Sequence, residues 1–173
     1  MPDPTHEADT IHASCIALGS VGILIRGASG SGKSTLALLL LDRAALMGID
    51  AGLVGDDRIR LVREAGSLVA RPHPALGDRI EVRGLGLVRV TRSLDSAAIR
   101  LVVDLVAANP RLPDAAMPPV VLLGIAVPGL VLDRAILQSG LAPRLVLDAL
   151  AACIGVAHGT HPAVLTLPPV PGP

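Results

Sequence analysis

The chain has 173 residues, 51% of them hydrophobic and 17% charged, with a formal net charge of zero and no Phe, Tyr or Trp. That length suits one domain with its own core, and the apolar share excludes global disorder. A neutral, aromatic-free chain without a Lys/Arg cluster argues against single-stranded nucleic-acid platforms and offers neither DNA nor an anionic membrane surface a hold, so no nucleic acid and no membrane partner is expected.

Residues 1–9 are polar and expected to be loose, and Met1-Pro2-Asp3-Pro4 opens no apolar signal region. Apolar runs are broken by Gly, Pro or charge before membrane-spanning length. Cys15 and Cys153 stand far apart without metal-like spacing and read as free thiols of a reducing compartment. A cytoplasmic protein is expected.

Residues 11–18 read as a strand that turns at Gly19-Ser20 into a second, at 21–26, as a hairpin. Next comes Gly27-Ala28-Ser29-Gly30-Ser31-Gly32-Lys33-Ser34, which matches G-x-x-x-x-G-K-[ST] at every fixed position. A loop between strand and helix turns its backbone N–H groups into one concavity suited to a polyphosphate, and its glycines permit close approach. Lys33 is the only lysine among fifteen Lys and Arg residues. A compact ammonium at that position is what β- and γ-phosphates call for.

A helix is expected over 35–47, with Gly48 at its end. Residues 51–55 form a short strand delivering Asp56 and Asp57, and strands follow at 58–62 and 68–70 before Pro72 and Pro74 impose a loop. Residues 78–88 alternate charged and aliphatic side chains around Gly84 and Gly86. Further strands are expected at 100–106 and 120–127, a loop at 109–114, and a helix opening at Pro143. A Pro-rich tail from His158 is left outside the packed domain, which is placed at 10–157. Hairpin-like pairs outnumber β-helix-β alternation, so an α/β fold with a mixed sheet is expected.

Ser34 is placed to put its hydroxyl on Mg²⁺ beside the phosphates. The adjacent acids Asp56 and Asp57 read either as one metal contact and one proton acceptor or as an exposed turn. Glu81 and Arg83, two apart on one strand, could hold metal and phosphate or form a cross-strand ion pair. Asp104 reads as a structural carboxylate more readily than as a metal ligand, Arg111 as a loop arginine and His12 as a strand histidine.

The order of His12, the phosphate loop, Asp56-Asp57 and Ile80-Glu81-Val82-Arg83-Gly84-Leu85-Gly86 resembles the catalytic domain of bacterial HPr kinase/phosphorylase, in its short form. The resemblance implies a P-loop kinase core with a mixed β-sheet, PEP carboxykinase-like, using ATP and Mg²⁺ to phosphorylate a serine of HPr, the phosphocarrier of the sugar phosphotransferase system, and a homo-oligomer, a hexamer in the family. By position, it implies that Asp57 takes the serine proton beside Asp56, that Lys33 is the catalytic lysine, that Ser34 and Glu81 hold Mg²⁺, and that His12 and Arg111 belong to the active site. The family's phosphorolysis is tied to a P-V-R-P-G-R-like segment, of which Pro143 and Arg144 are echoed here. A P-loop kinase for a small metabolite and a nucleotide-sensing module without phosphotransfer are the alternatives.

Overall fold

The computed structural model describes residues 8–75, 77–111 and 117–155. β1 (Ala8–Leu18) and β2 (Val21–Gly27) form the expected hairpin, paired from Leu18↔Val21 to Ala13↔Arg26. β1 starts earlier than expected because its ladder with β4 (Arg58–Glu64) carries it outward to Ala8↔Val62. β3 (Ala51–Gly55) pairs with the inner half of β1 on the same edge. α1 (Lys33–Leu46) follows β2, with Gly48 in the left-handed region just past its end.

β5 (Ser67–Pro72) joins β4 to the start of β8 (Ala97–Val106), and β8 lies parallel to β2 along its other edge. The ladder therefore closes on itself through β2, β1, β4, β5 and β8. At its far end β8 continues in parallel to β10 (Ile125–Asp133), which pairs with β9 (Pro119–Leu122). This is a mixed α/β sheet, as the sequence suggested. β6 (Arg79–Val82) and β7 (Gly86–Arg89) make a separate two-stranded ribbon.

Alternation along the strands sorts side chains into two cores. Ile16, Leu18, Ile23, Ile25, Leu101 and Val103 face α1 and the terminal helix α3 (Ala142–Ile154). Cys15, Ala17, Leu24, Val102, Ile59 and Leu61 fill the interior of the closed ladder. The register of β8 on β2 slips between Gly22 and Ile23, leaving Arg100 as the extra, exposed residue. That bulge changes the parity, so Ala97 and Ile99 share the interior with Val102.

Two expectations are corrected, and one element is added. The strand expected over 120–127 is a hairpin, reversed by Leu123 and Gly124, both at positive φ (48° and 72°). A two-residue turn of that kind matches the twist of antiparallel strands, but Leu in place of Asn concealed it. Arg83 is not two residues along the same strand as Glu81, because β6 ends at Val82 and the Leu85 N–H closes the turn on Val82 O at 2.9 Å. A short helix, α2 (Arg134–Gln138), capped by Asp133 Oδ1 on the Ile136 N–H, was not anticipated. The tail from His158 lies outside the described residues.

Candidate active site

The glycine-rich loop at residues 27–34 links the C-terminal end of β2 to the first turn of α1. Gly27, Gly30 and Gly32 have φ of 153°, 75° and 101°. A Cβ at Gly27 would stand 2.5 Å from Ser31 Oγ and 2.8 Å from Leu105 O, so only glycine fits there. Ser31 Oγ is buried in this loop without a hydrogen-bond partner. The N-cap of α1 is Gly32, which has no side chain to satisfy the first-turn amides, and the first turn carries no acid. Open amide donors, the helix dipole and an orphaned hydroxyl together fit a polyphosphate.

Lys33 is buried, and its ammonium uses three contacts: Gly27 O at 2.9 Å, Ala28 O at 3.1 Å and His12 Nε2 at 2.8 Å. Burial lowers its pKa below the ordinary lysine value, against the opposing pull of the Asp57 and Asp56 carboxylates. Because an ammonium only donates, His12 Nε2 accepts and the ring proton sits on Nδ1. Nδ1 then donates to Asp57, with Oδ1 at 2.9 Å and the main-chain O at 3.1 Å.

Asp56 and Asp57 follow β3, and the backbone sends their carboxylates in different directions. Asp57 has φ 89°, and the Arg58 N–H reaches back to Asp56 O at 2.8 Å. That is a γ-turn of the rare, strained kind. It is held by a reciprocal pair with β1, Asp57 N–H to Ala13 O at 3.0 Å and Ala13 N–H to Asp57 O at 3.2 Å. The Asp57 side chain stays 59% exposed and that of His12 46%, so both can be reached from outside. Asp56 is instead only 6% exposed. Its carboxylate accepts from Ser34 Oγ, 2.8 and 3.0 Å from its two oxygens, from Ser14 Oγ at 2.5 Å, and from the Glu81 N–H at 3.2 Å. The divergence of the two acids comes from a turn rather than from the alternation of an extended strand.

The fold thus brings together His12, the loop from Gly27 to Ser34, Asp56, Asp57 and the backbone of Glu81. The Glu81 side chain is exposed on the ribbon whose Ile80 anchors in the helix-side core. Arg83, at the ribbon's turn, and Arg111, at the end of the segment after β8, are exposed and make no hydrogen bond or ion pair with another described residue. Asp104 is held by Arg26 in a two-pronged pair, Nε to Oδ1 and Nη2 to Oδ2, both 2.7 Å, which accounts for it structurally. Among the described residues no group of three or more His, Cys, Asp or Glu side chains could hold a metal unaided. Ser14 joins the site without a sequence motif, its only signal a hydroxyl in the middle of an apolar run.

The profile of the family described as HPr Serine kinase C-terminal domain matches residues 5–114. The HPr kinase/phosphorylase of Mycoplasma mycoides subsp. mycoides SC is 36% identical over 101 residues, covering 55% of this chain and 30% of that protein. That of Chlorobium limicola is 39% identical over 95 residues, 54% of this chain and 27% of that protein. The chain therefore spans about three-tenths of the length of these curated relatives. The solved structure of the Hpr(Ser) kinase/phosphatase from Coxiella burnetii superposes with a TM-score of 0.64 at 26% identity, over 81% of this chain and 97% of that one. No helix among the described residues is long and apolar enough to cross a membrane. With more than half of its length matched by the family profile, this chain belongs to the HPr Serine kinase C-terminal domain family.

Proposed function

We propose that the chain is a cytoplasmic phosphotransferase that moves the γ-phosphoryl group of ATP to a serine hydroxyl of an HPr-like phosphocarrier protein. The observation that carries this reading is the unbroken line Asp57–His12–Lys33, which joins an exposed carboxylate to the lysine of the phosphate loop within three side chains. Chain membership in the kinase family supports the same reaction class.

The loop amides and Lys33 would bind and orient the triphosphate, Lys33 exchanging its carbonyl partners for phosphate oxygens. Ser34 donates its one hydroxyl hydrogen bond to Asp56, so what it offers a cation is an oxygen lone pair. Ser34 and Glu81 are the side chains that would hold Mg²⁺, which when bound neutralises charge on the phosphate oxygens. Asp57, with one carboxylate oxygen on His12 and more than half its surface open, receives the proton of the attacking serine. The serine O–P bond forms, the bond from the γ-phosphorus to the bridging oxygen breaks, and ADP leaves. Assembly as a homo-oligomer belongs to the same reading.

The test is incubation of the protein with γ-labelled ATP, Mg²⁺ and HPr from the same organism. Label on a serine of HPr is expected from the wild type. Asp57→Asn should bind ATP within about threefold of wild type and lose transfer by roughly 10²- to 10⁴-fold, the usual scale for removing a general base. Wild-type transfer by Asp57→Asn would defeat the proton-acceptor role. Tight ATP binding with no label on HPr would turn the reading towards nucleotide sensing.

A further inference from the structure

Asp56 is a nearly buried carboxylate, and the protein surrounds it with three donors: a loop hydroxyl, a main-chain amide and the hydroxyl of Ser14. The Ser34 and Glu81 donors come from residues already placed at the site. Ser14 is different. It lies in mid-β1, opposite Ile25 of β2, fully buried and flanked by Ala13 and Cys15. A serine hydroxyl withdrawn from water in such surroundings is costly unless it is bonded. Its bond is to Asp56 Oδ1, 42 residues away in sequence, and not to a neighbouring main-chain carbonyl.

We infer that Ser14 is a positioning residue for the cation of the nucleotide site, acting through Asp56. Ser14 fixes one carboxylate oxygen from the floor of the sheet. The Glu81 N–H holds the other from the ribbon. With its plane set by these two, the carboxylate accepts the hydrogen bond of the Ser34 hydroxyl and turns the Ser34 oxygen's lone pairs to the side where a cation and phosphate would lie. The inference rests on the nucleotide-binding reading above and adds to it a residue that touches neither nucleotide nor metal.

The test is binding rather than turnover. A fluorescent ATP analogue is titrated onto the full chain, first with EDTA and then with rising Mg²⁺, for wild type, Ser14→Ala, Ser14→Thr and Ser14→Cys. Loss of a hydrogen-bond partner of a metal ligand commonly costs 10- to 100-fold in metal affinity, and Ser14 stands one bond further out, which puts its effect at the lower end of that range. Ser14→Ala should accordingly need about tenfold more Mg²⁺ at the binding midpoint, while its metal-free nucleotide affinity stays within about twofold. Ser14→Thr, which keeps the hydroxyl, should return the midpoint to within about threefold of wild type. Should Ser14→Ala fail to fold by circular dichroism, Ser14→Cys, nearly the same shape with a weak donor, is read in its place.

In an Asp56→Ala background, Ser14→Ala should add less than about twofold, because the side chain through which it acts is gone. A wild-type midpoint in Ser14→Ala, or a Ser14→Thr as impaired as Ser14→Ala, would overturn the positioning role while leaving nucleotide binding standing. A wild-type protein that binds no nucleotide with Mg²⁺ would overturn both.

Discussion

At the scale of single residues, Asp57 shows most directly how local strain and the proposed chemistry coincide. Its φ of 89° is a conformation that non-glycine residues avoid, and the backbone pair with Ala13 holds it there. Two variants that both lack the carboxylate separate strain from chemistry. Asp57→Gly should be more stable than Asp57→Ala by about 1 kcal/mol in denaturant unfolding, since glycine accepts this φ without a Cβ penalty. Equal stability would mean that the turn relaxes freely and stores no strain.

Lys33 gives a second test at the same scale. A lysine whose pKa burial has lowered holds fewer protons in the native state than in the unfolded chain across the window below the ordinary value of 10.5. Stability therefore rises with pH through that window and levels off above it. Lys33→Met should remove this contribution, so the stability difference between the two proteins should shift in favour of wild type as pH climbs towards 10.5. Urea midpoints measured at a series of alkaline pH values check the sign; a difference that moves the other way would show that the two carboxylates outweigh burial.

At the scale of elements, the glycine-rich loop between β2 and α1 was legible because its signature is written in consecutive residues. Eight positions specify the glycine conformations, the lysine and the hydroxyl, and the flanking apolar run and helix-forming segment state what stands on either side. The glycines are not equivalent, however, and that was not legible. A Cβ at Gly27 would meet the Leu105 carbonyl of the neighbouring strand β8, whereas at Gly30 nothing lies within 4 Å. Gly27→Ala should lose roughly 1–3 kcal/mol from overpacking against a strand backbone. Gly30→Ala should lose only the cost of a left-handed alanine, about 1 kcal/mol. Thermal unfolding of the pair checks this, and equal losses would argue against the contact with β8.

The elements that misled are equally specific. Leu123-Gly124 makes a tight reversal without the usual Asn or Asp, and the ribbon's Arg83-Gly84-Leu85 turn interrupts what looked like one alternating strand. In both cases the pairing of strands, a tertiary matter, decided the local shape.

At the scale of the whole molecule, one set of strands serves two cores. Leu24 points into the closed ladder while its neighbour Ile25 points to the helices, and both are fully buried. Leu24→Ala and Ile25→Ala should each cost about 2–5 kcal/mol, the range for such truncations in packed interiors. Because the cores share β1, β2 and β8, each variant should still unfold in one transition seen alike by near- and far-ultraviolet dichroism. Two separated transitions would show that the ladder and the helix layer are independent units.

The sequence by itself determined the glycine-rich loop, the strand–loop–helix that presents it, the mixed character of the sheet and the pair of acids after β3, because each depends on neighbours within a few residues and on the period of apolar side chains. It could not determine that His12 lies against Asp57, 45 positions away, or that Ser14 lies beneath Asp56. Those meetings depend on the register of β1 against β3 and β4, including the slip between Cys15 and Ile16. A one-residue change of register would turn every side chain of β1 to the opposite face. Register is set by the burial of whole faces on both sides of the sheet, a property of the assembled fold that no single segment carries.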